Sequence, residues 1–142
     1  MINFAGEVEI ARSREDVFDF LADLDNEPLY NPDASNIRKV TDGPIGKGTV
    51  YEEDFRRIGH FTTTIDEYER PSALTFDARS ARMDVVVRFR LAEPAPGKTR
   101  IRVEYDMQPK GALRLMSPVF RMGGPGMFEK KRAPGLKRAL EG

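Results

Sequence analysis

The stretch Lys110–Gly142 reads KGALRLMSPVFRMGGPGMFEKKRAPGLKRALEG. Leu113, Met116, Phe120, Met127, Phe128, Leu136 and Leu140 recur at mostly helical spacings, with Leu115, Val119 and Met122 among them. Steps of three and four residues place apolar side chains on one helix face. The stretch is interrupted at Gly123-Gly124-Pro125-Gly126 and again at Ala133-Pro134-Gly135. Glycine and proline are the poorest helix formers, so the pattern predicts one helix ending near Met122 and a second from about Pro125, bent near Pro134. Such a break reads as a hinge or as a closure at one end of whatever the helix covers.

Upstream, the period changes to two. Residues 2–10 place Ile2, Phe4, Val8 and Ile10 opposite Asn3, Glu7 and Glu9, as in a half-buried strand. Ser13 is a helix N-cap, with Glu15 and Asp16 in the first turn, and Val17, Phe18, Leu21 and Leu24 form an apolar side. Pro28 starts a second short helix over Glu27–Tyr30, ended by Asn31-Pro32. Strands are then expected at residues 37–41, 49–56, 60–69, 73–79, 83–91 and 99–107, separated by short Gly- and Pro-rich turns. The alternation is clearest in Met83, Val85, Val87, Phe89 and Leu91 against Asp84, Arg88 and Arg90. Short turns between successive strands imply an antiparallel meander with one covered face. The C-terminal stretch is the element expected to cover it.

The bulk composition narrows the function. A chain of 142 residues is one ordinary domain, here 1–142, able to bury about 70% of its unfolded surface without a metal or disulfide. There is no cysteine, which removes thiolate chemistry and disulfides and suits a reducing cytoplasm. The N-terminus lacks a basic segment followed by an apolar one, so no signal peptide is expected. The formal net charge is zero, which argues against a nucleic-acid partner. One histidine and no acidic loop of recognisable spacing argue against a metal. A Ser-His-Asp triad would need His60, which sits beside a turn where an exposed role is expected. From Lys110 onward, eight basic residues face only Glu129 and Glu141, the composition of a solvated helix face or of a peripheral contact with an anionic membrane or a protein partner.

Polar residues in phase with the apolar face are the candidates for chemistry. Glu53 lies between Tyr51 and Phe55, Thr63 between Phe61 and Ile65, Tyr105 between Val103 and Met107, and Glu67 follows Ile65. A carboxylate turned toward an apolar interior has a raised pKa and can act as acid, base or ligand anchor. Glu53 with Tyr105 or Tyr51 is the candidate catalytic pair. Phe55, Phe61, Phe76, Val87, Phe89, Leu115, Phe120 and Met127 are the expected lining of a cavity or, equally, plain core.

Several local wordings resemble the START-like (SRPBCC) superfamily and, within it, the polyketide cyclase/dehydrase-type proteins. They are Val8-Glu9-Ile10 followed by residues 13–23, then Tyr30-Asn31-Pro32, Gly46-Lys47-Gly48-Thr49, Glu67-Tyr68-Glu69-Arg70-Pro71, and the terminal Leu136–Glu141. The resemblance covers nearly the whole chain. It implies an α+β helix-grip fold: a curved antiparallel sheet of about seven strands, two short helices after the first, and a long C-terminal helix across the concave face. It also implies a cavity for a small hydrophobic or amphipathic ligand, with Tyr30 and Asn31 near its mouth. No cofactor is expected. A non-catalytic binding protein is the favoured reading, with a polyketide cyclase, aromatase or dehydratase as the alternative.

Overall fold

The computed structural model describes residues 2–142. β1 (Ile2–Ile10) leads into α1 (Arg14–Ala22) and a 3-10 helix (Leu24–Leu29). Six strands follow: β2 (Ala34–Lys39), β3 (Val50–Phe55), β4 (Gly59–Glu69), β5 (Ala73–Arg79), β6 (Met83–Ala95) and β7 (Lys98–Pro109). They form one antiparallel sheet in the order β1-β7-β6-β5-β4-β3-β2. The order and number of elements agree with the expected α+β helix-grip fold. Strands β3 to β7 pair consecutively through short turns, β2 reaches β3 through the longer loop 40–49, and β1 alone finds a distant partner, with Ile2 opposite Met107 and Ile10 opposite Thr99. Ser13 caps α1 as expected, its Oγ accepting from the Asp16 amide at 3.2 Å. β2 begins three residues earlier than its apolar pattern suggested, and its pairing with β3 shifts register between Ser35 and Arg38.

The C-terminal segment differs from expectation in one respect. Residues 111–141 are helical throughout: a 3-10 turn (Gly111–Met116), α2 (Ser117–Met127), a π turn (Phe128–Arg132) and α3 (Ala133–Glu141). Gly123–Gly126 does not interrupt α2, so no break or hinge lies there. The irregularity comes later, where the Ala133 amide reaches back to the Phe128 carbonyl. This wider winding directly precedes Pro134, which sits in the first turn of α3, where a proline's missing N–H is tolerated.

Packing explains why the helix survives. An interior proline costs about 3 kcal/mol. Phe128, Leu136 and Leu140 are nearly fully buried on the sheet side, and each contributes roughly 1.5–3 kcal/mol. Three glycines allow the approach that buries them. A Cβ on Gly6 of β1 would lie 2.1 Å from the Phe128 ring, and one on Gly124 would lie 2.5 Å from the Phe4 ring. A Cβ on Gly135 would lie 2.9 Å from the Tyr30 carbonyl oxygen. The aromatics these glycines admit also touch each other. Phe4 stacks on Tyr105 with ring centroids 4.7 Å apart, and Tyr105 meets Phe128 edge-on at 6.2 Å.

Gly6→Ala is therefore expected to destabilise the fold by about 1–3 kcal/mol through overpacking. Gly123→Ala, whose Cβ meets nothing within 4 Å, is expected to stabilise it by about 0.5–1 kcal/mol through helix propensity. Urea unfolding of the two variants separates these outcomes. Effects of the same sign would show that the helix is not seated as described.

Candidate functional site

Strand alternation turns Glu53 and Phe55 of β3, Phe61 and Thr63 of β4, and Phe76 and Ala78 of β5 onto the concave face. Val85, Val87 and Phe89 of β6 and Tyr105 and Met107 of β7 continue that face. Leu24, Glu27, Tyr30 and Asn31 close one end, Ile58 borders the β3–β4 turn, and Met127 and Arg132 come from the C-terminal helix. Together they line a cavity of about 160 Å³. A dry cavity on the order of 150 Å³ holds a single benzene ring.

The cavity is apolar along the sheet and polar at the end under the 3-10 helix. Glu53 is 2% exposed, and its Oε1 accepts from the Thr63 hydroxyl at 2.9 Å. Glu27 is half-buried as a residue, but its carboxyl points inward and accepts from Asn31 Nδ2 at 3.5 Å. Both carboxyls line the same end of the cavity, and each has one buried oxygen without a hydrogen-bond partner, Oε1 of Glu27 and Oε2 of Glu53. Burial, then the hydrogen bond and charge of Glu53, push the Glu27 carboxyl well above the usual carboxylate range, against the opposing pull of Asn31 and Arg132. Burial and a neighbouring carboxyl both disfavour a negative charge on Glu27 and so favour its protonated form.

The surrounding groups are donors. Burial is the main cause that pushes the Tyr105 phenol up to about 12, and the Tyr30 phenol is raised well above its ordinary value for the same reason. Both remain neutral hydroxyls at physiological pH. The Arg132 guanidinium pulls Glu27, Tyr30 and Tyr105 downward, which places its charge at this end of the cavity. Arg132 forms no ion pair among the described residues.

Of the residues singled out from the sequence, Tyr30, Asn31, Glu53, Phe55, Phe61 and Thr63 line the cavity, as do Phe76, Val87, Phe89, Tyr105 and Met127. Three others lie elsewhere. Tyr51 shares the inward phase of Glu53 but is fully buried in the main core and does not line the cavity. Phe120 packs beside the smaller cluster of Phe61, Ala78, Met83 and Leu113. Leu115 is 86% exposed, because Leu113 and Gly124 are the residues of this stretch that turn to the sheet. Glu67 also leaves the inward phase. The β4–β5 pairing shifts register between Ile65 and Glu67, and Glu67 instead accepts from Thr75 and pairs with Arg90 at 2.9 Å. His60 is exposed and lies between Asp54 and Glu52 at 2.7 and 3.2 Å.

Two residues of the polar end, Glu27 and Arg132, escaped the sequence reading. Glu27 falls in a 3-10 helix, which has no useful apolar period, and its position four residues before Asn31 was the available signal. Arg132 closes the π turn, and a basic run gives no hint that one of its members turns inward.

The sequence profile of a family described as "Polyketide cyclase / dehydrase and lipid transport" matches residues 1–141. The chain belongs to that family. Among curated proteins, none matches the sequence. A START superfamily protein from Mycobacterium smegmatis superposes with a TM-score of 0.81 at 17% identity, covering 98% of this chain and 97% of that one. A Bacillus halodurans protein superposes with a TM-score of 0.72 at 14% identity, covering 99% and 97% of the two chains. A hypothetical protein from Helicobacter pylori gives 0.76 at 12% identity, covering 97% and 87%. These likenesses establish the START-like fold. Membership in the polyketide cyclase/dehydrase family supports, at a general level, a hydrophobic ligand cavity between sheet and helix. No helix among the described residues is long and apolar enough to cross a membrane.

The arrangement can hold an apolar body along the sheet and a hydrogen-bonding head at its polar end. It can accept from that head at Glu53 and donate to it from Tyr30, Tyr105, Arg132 and the protonated Glu27. The raised pKa of Glu27 has a consequence for stability. The folded state holds this proton more tightly than the unfolded chain, whose ordinary value is 4.5. The contribution is thus fully present below pH 4.5 and is lost as pH rises through the raised folded value. Glu27→Gln keeps the shape and a donor but does not titrate. Its stability relative to the parent should therefore increase from acidic to alkaline pH, as read by denaturant unfolding at several pH values. A constant difference across that range would contradict the raised pKa of Glu27.

Proposed function

We propose that the protein binds a small amphipathic molecule, with a hydrophobic body about one aromatic ring in size and a hydrogen-bonding oxygen head. The observation that carries this reading is the largely apolar cavity between sheet and helix whose polar end gathers Glu27, Glu53 and Arg132. A quinone, hydroquinone or substituted phenol matches the volume and the donors. A polycyclic or long-chain lipid would need the helix or the β3–β4 turn to move outward. Tyr30, Tyr105 and Arg132 would bind a carbonyl or carboxylate oxygen, and Glu53 would accept from a hydroxyl.

The test is a thermal-shift and calorimetric series with hydroquinone, hydroxybenzoate, naphthol and fatty-acid ligands. One-ring compounds should raise the melting temperature most. Ala78→Leu, which fills the cavity from β5, should abolish the shift, and Arg132→Gln should selectively weaken the carboxylate-bearing compounds. No shift with any ligand, or unchanged binding by folded Ala78→Leu protein, would refute the proposal.

A second reading is favoured by one specific observation, the Glu27 carboxyl that lines the cavity beside Glu53 and Arg132 and is held well above the usual carboxylate range, chiefly by burial. Glu27 is suited to act as a general acid, with Arg132 beside it to stabilise a developing enolate. That is the equipment for a cyclase, aromatase or dehydratase acting on a polyketide-like substrate, with Glu53 and Tyr105 as its other polar groups. Conversion of a β-hydroxyketone to its enone, lost in Glu27→Gln while binding persists, would select this reading. Binding without turnover would leave the binding protein.

A further inference from the structure

The C-terminal helix carries a second apolar face that covers nothing. Leu115, Met116, Val119 and Met122 are 86, 47, 59 and 84% exposed. They account for four of the six large hydrophobic residues exposed among the described residues. Leu115, Val119 and Met122 follow i, i+4, i+7 and form one stripe. Leu113 and Gly124, buried against the sheet side, lie on the opposite side of the same helix. A helix apolar on both faces has an unpaired one when only one side is buried.

The flanks are purely cationic. Arg114 and Arg121, seven residues apart and both exposed, form a row beside the stripe. No acidic residue occurs between Asp106 and Glu129. Neither arginine forms an ion pair among the described residues, whereas Lys110 is paired with Asp84 at 2.9 Å. The same end of the molecule carries Arg82, whose guanidinium donates to the Arg57 carbonyl at 3.1 Å and whose own carbonyl accepts from the Lys110 amide at 2.8 Å. Arg57 and Arg82 are exposed. The patch therefore joins flexible aliphatic side chains to unneutralised guanidinium groups, the composition of an interfacial helix on anionic lipid.

We propose that this face, Leu115–Met122 with Arg114 and Arg121, docks the protein on an anionic lipid bilayer. Charge complementarity selects that occupant. A second copy packed stripe to stripe would set the arginines of both copies against each other. The docking site is also continuous with the cavity. Phe120 packs against the cluster of Phe61, Ala78, Met83 and Leu113, and Phe61 and Ala78 of that cluster line the cavity wall. A bilayer on this face lies against the apolar end of the cavity, away from Glu27. The surface is distinct from the basic run Lys130–Arg132, where Arg132 turns inward, and the docking does not depend on what the cavity holds.

The experiment is flotation of the full chain with phosphatidylcholine vesicles and with mixed phosphatidylcholine–phosphatidylglycerol vesicles, at low and physiological salt. Binding should require the anionic lipid and weaken with salt. The double variant Leu115→Ser/Met122→Ser alters exposed side chains only and should keep the parent melting temperature. Its vesicle partition should fall about tenfold or more. Arg114→Gln/Arg121→Gln should lose the preference for anionic lipid, and Lys130→Ala/Lys131→Ala should bind as the parent does. The proposal is overturned if the parent does not float with anionic vesicles, or if the serine variant floats equally well. It is likewise overturned if only the Lys130/Lys131 variant loses binding. Sedimentation velocity supplies the last arm: a parent dimer that the serine variant converts to monomer would assign the face to a second copy instead.

Discussion

The close seat of the C-terminal helix on β1 is the contact on which the rest depends. At Gly6 and Gly124 the space of a missing side chain is filled by an aromatic ring from the other element. The helix thereby comes near enough to bury Phe128, yet Phe4, Tyr105 and Phe128 keep it propped off the remainder of the sheet. The cavity is the volume between this pinned edge and the curving strands β3 to β6. Gly135 makes the third close approach, at Tyr30, and so brings Arg132, one turn earlier, against the 3-10 helix that carries Glu27. Remove the glycines, and both the height of the cavity and the composition of its polar end change.

Much of this was legible in the sequence, for a physical reason. Strand alternation is a local signal, and it correctly turned Glu53, Thr63 and Tyr105 inward along with their apolar neighbours. It failed at Glu67, where one extra residue in β4 reverses the phase without leaving a mark in composition. The helix was harder. Gly123–Gly126 is unfavourable for helix by local propensity, but the decisive contacts come from Phe4 and Gly6, more than a hundred residues away. Tertiary packing overrides propensity of a few kcal/mol in this way routinely. Glu27 and Arg132 were illegible because their orientation is set by irregular winding, 3-10 in one case and π in the other, and neither has a period that a pattern can reveal.

The helix thus serves three tasks along its length. Its first turns present aliphatic and basic side chains to the surroundings. Its middle, from Gly124 to Phe128, fixes the distance to the sheet. Its end supplies a guanidinium to the polar chamber and is then tied down. The Glu141 carboxylate accepts from the Ala11 amide at 2.8 Å, and the Leu140 carbonyl accepts from Arg12 at 2.9 Å. The glycines and prolines that looked like interruptions mark the boundaries between these tasks.

The pairing of β1 with β7 has a consequence for biosynthesis. During translation the first strand emerges with its apolar face complete and no neighbour to pair with, since its partner occupies residues 98–109. Strands β2 to β6 can zip together as hairpins while the ribosome is still at work, but β1 must wait, tethered through α1. The helix that closes the cavity follows later still. A nascent chain of this topology exposes an unpaired strand edge and an open apolar trough for most of its synthesis, the interval in which chaperone protection matters most.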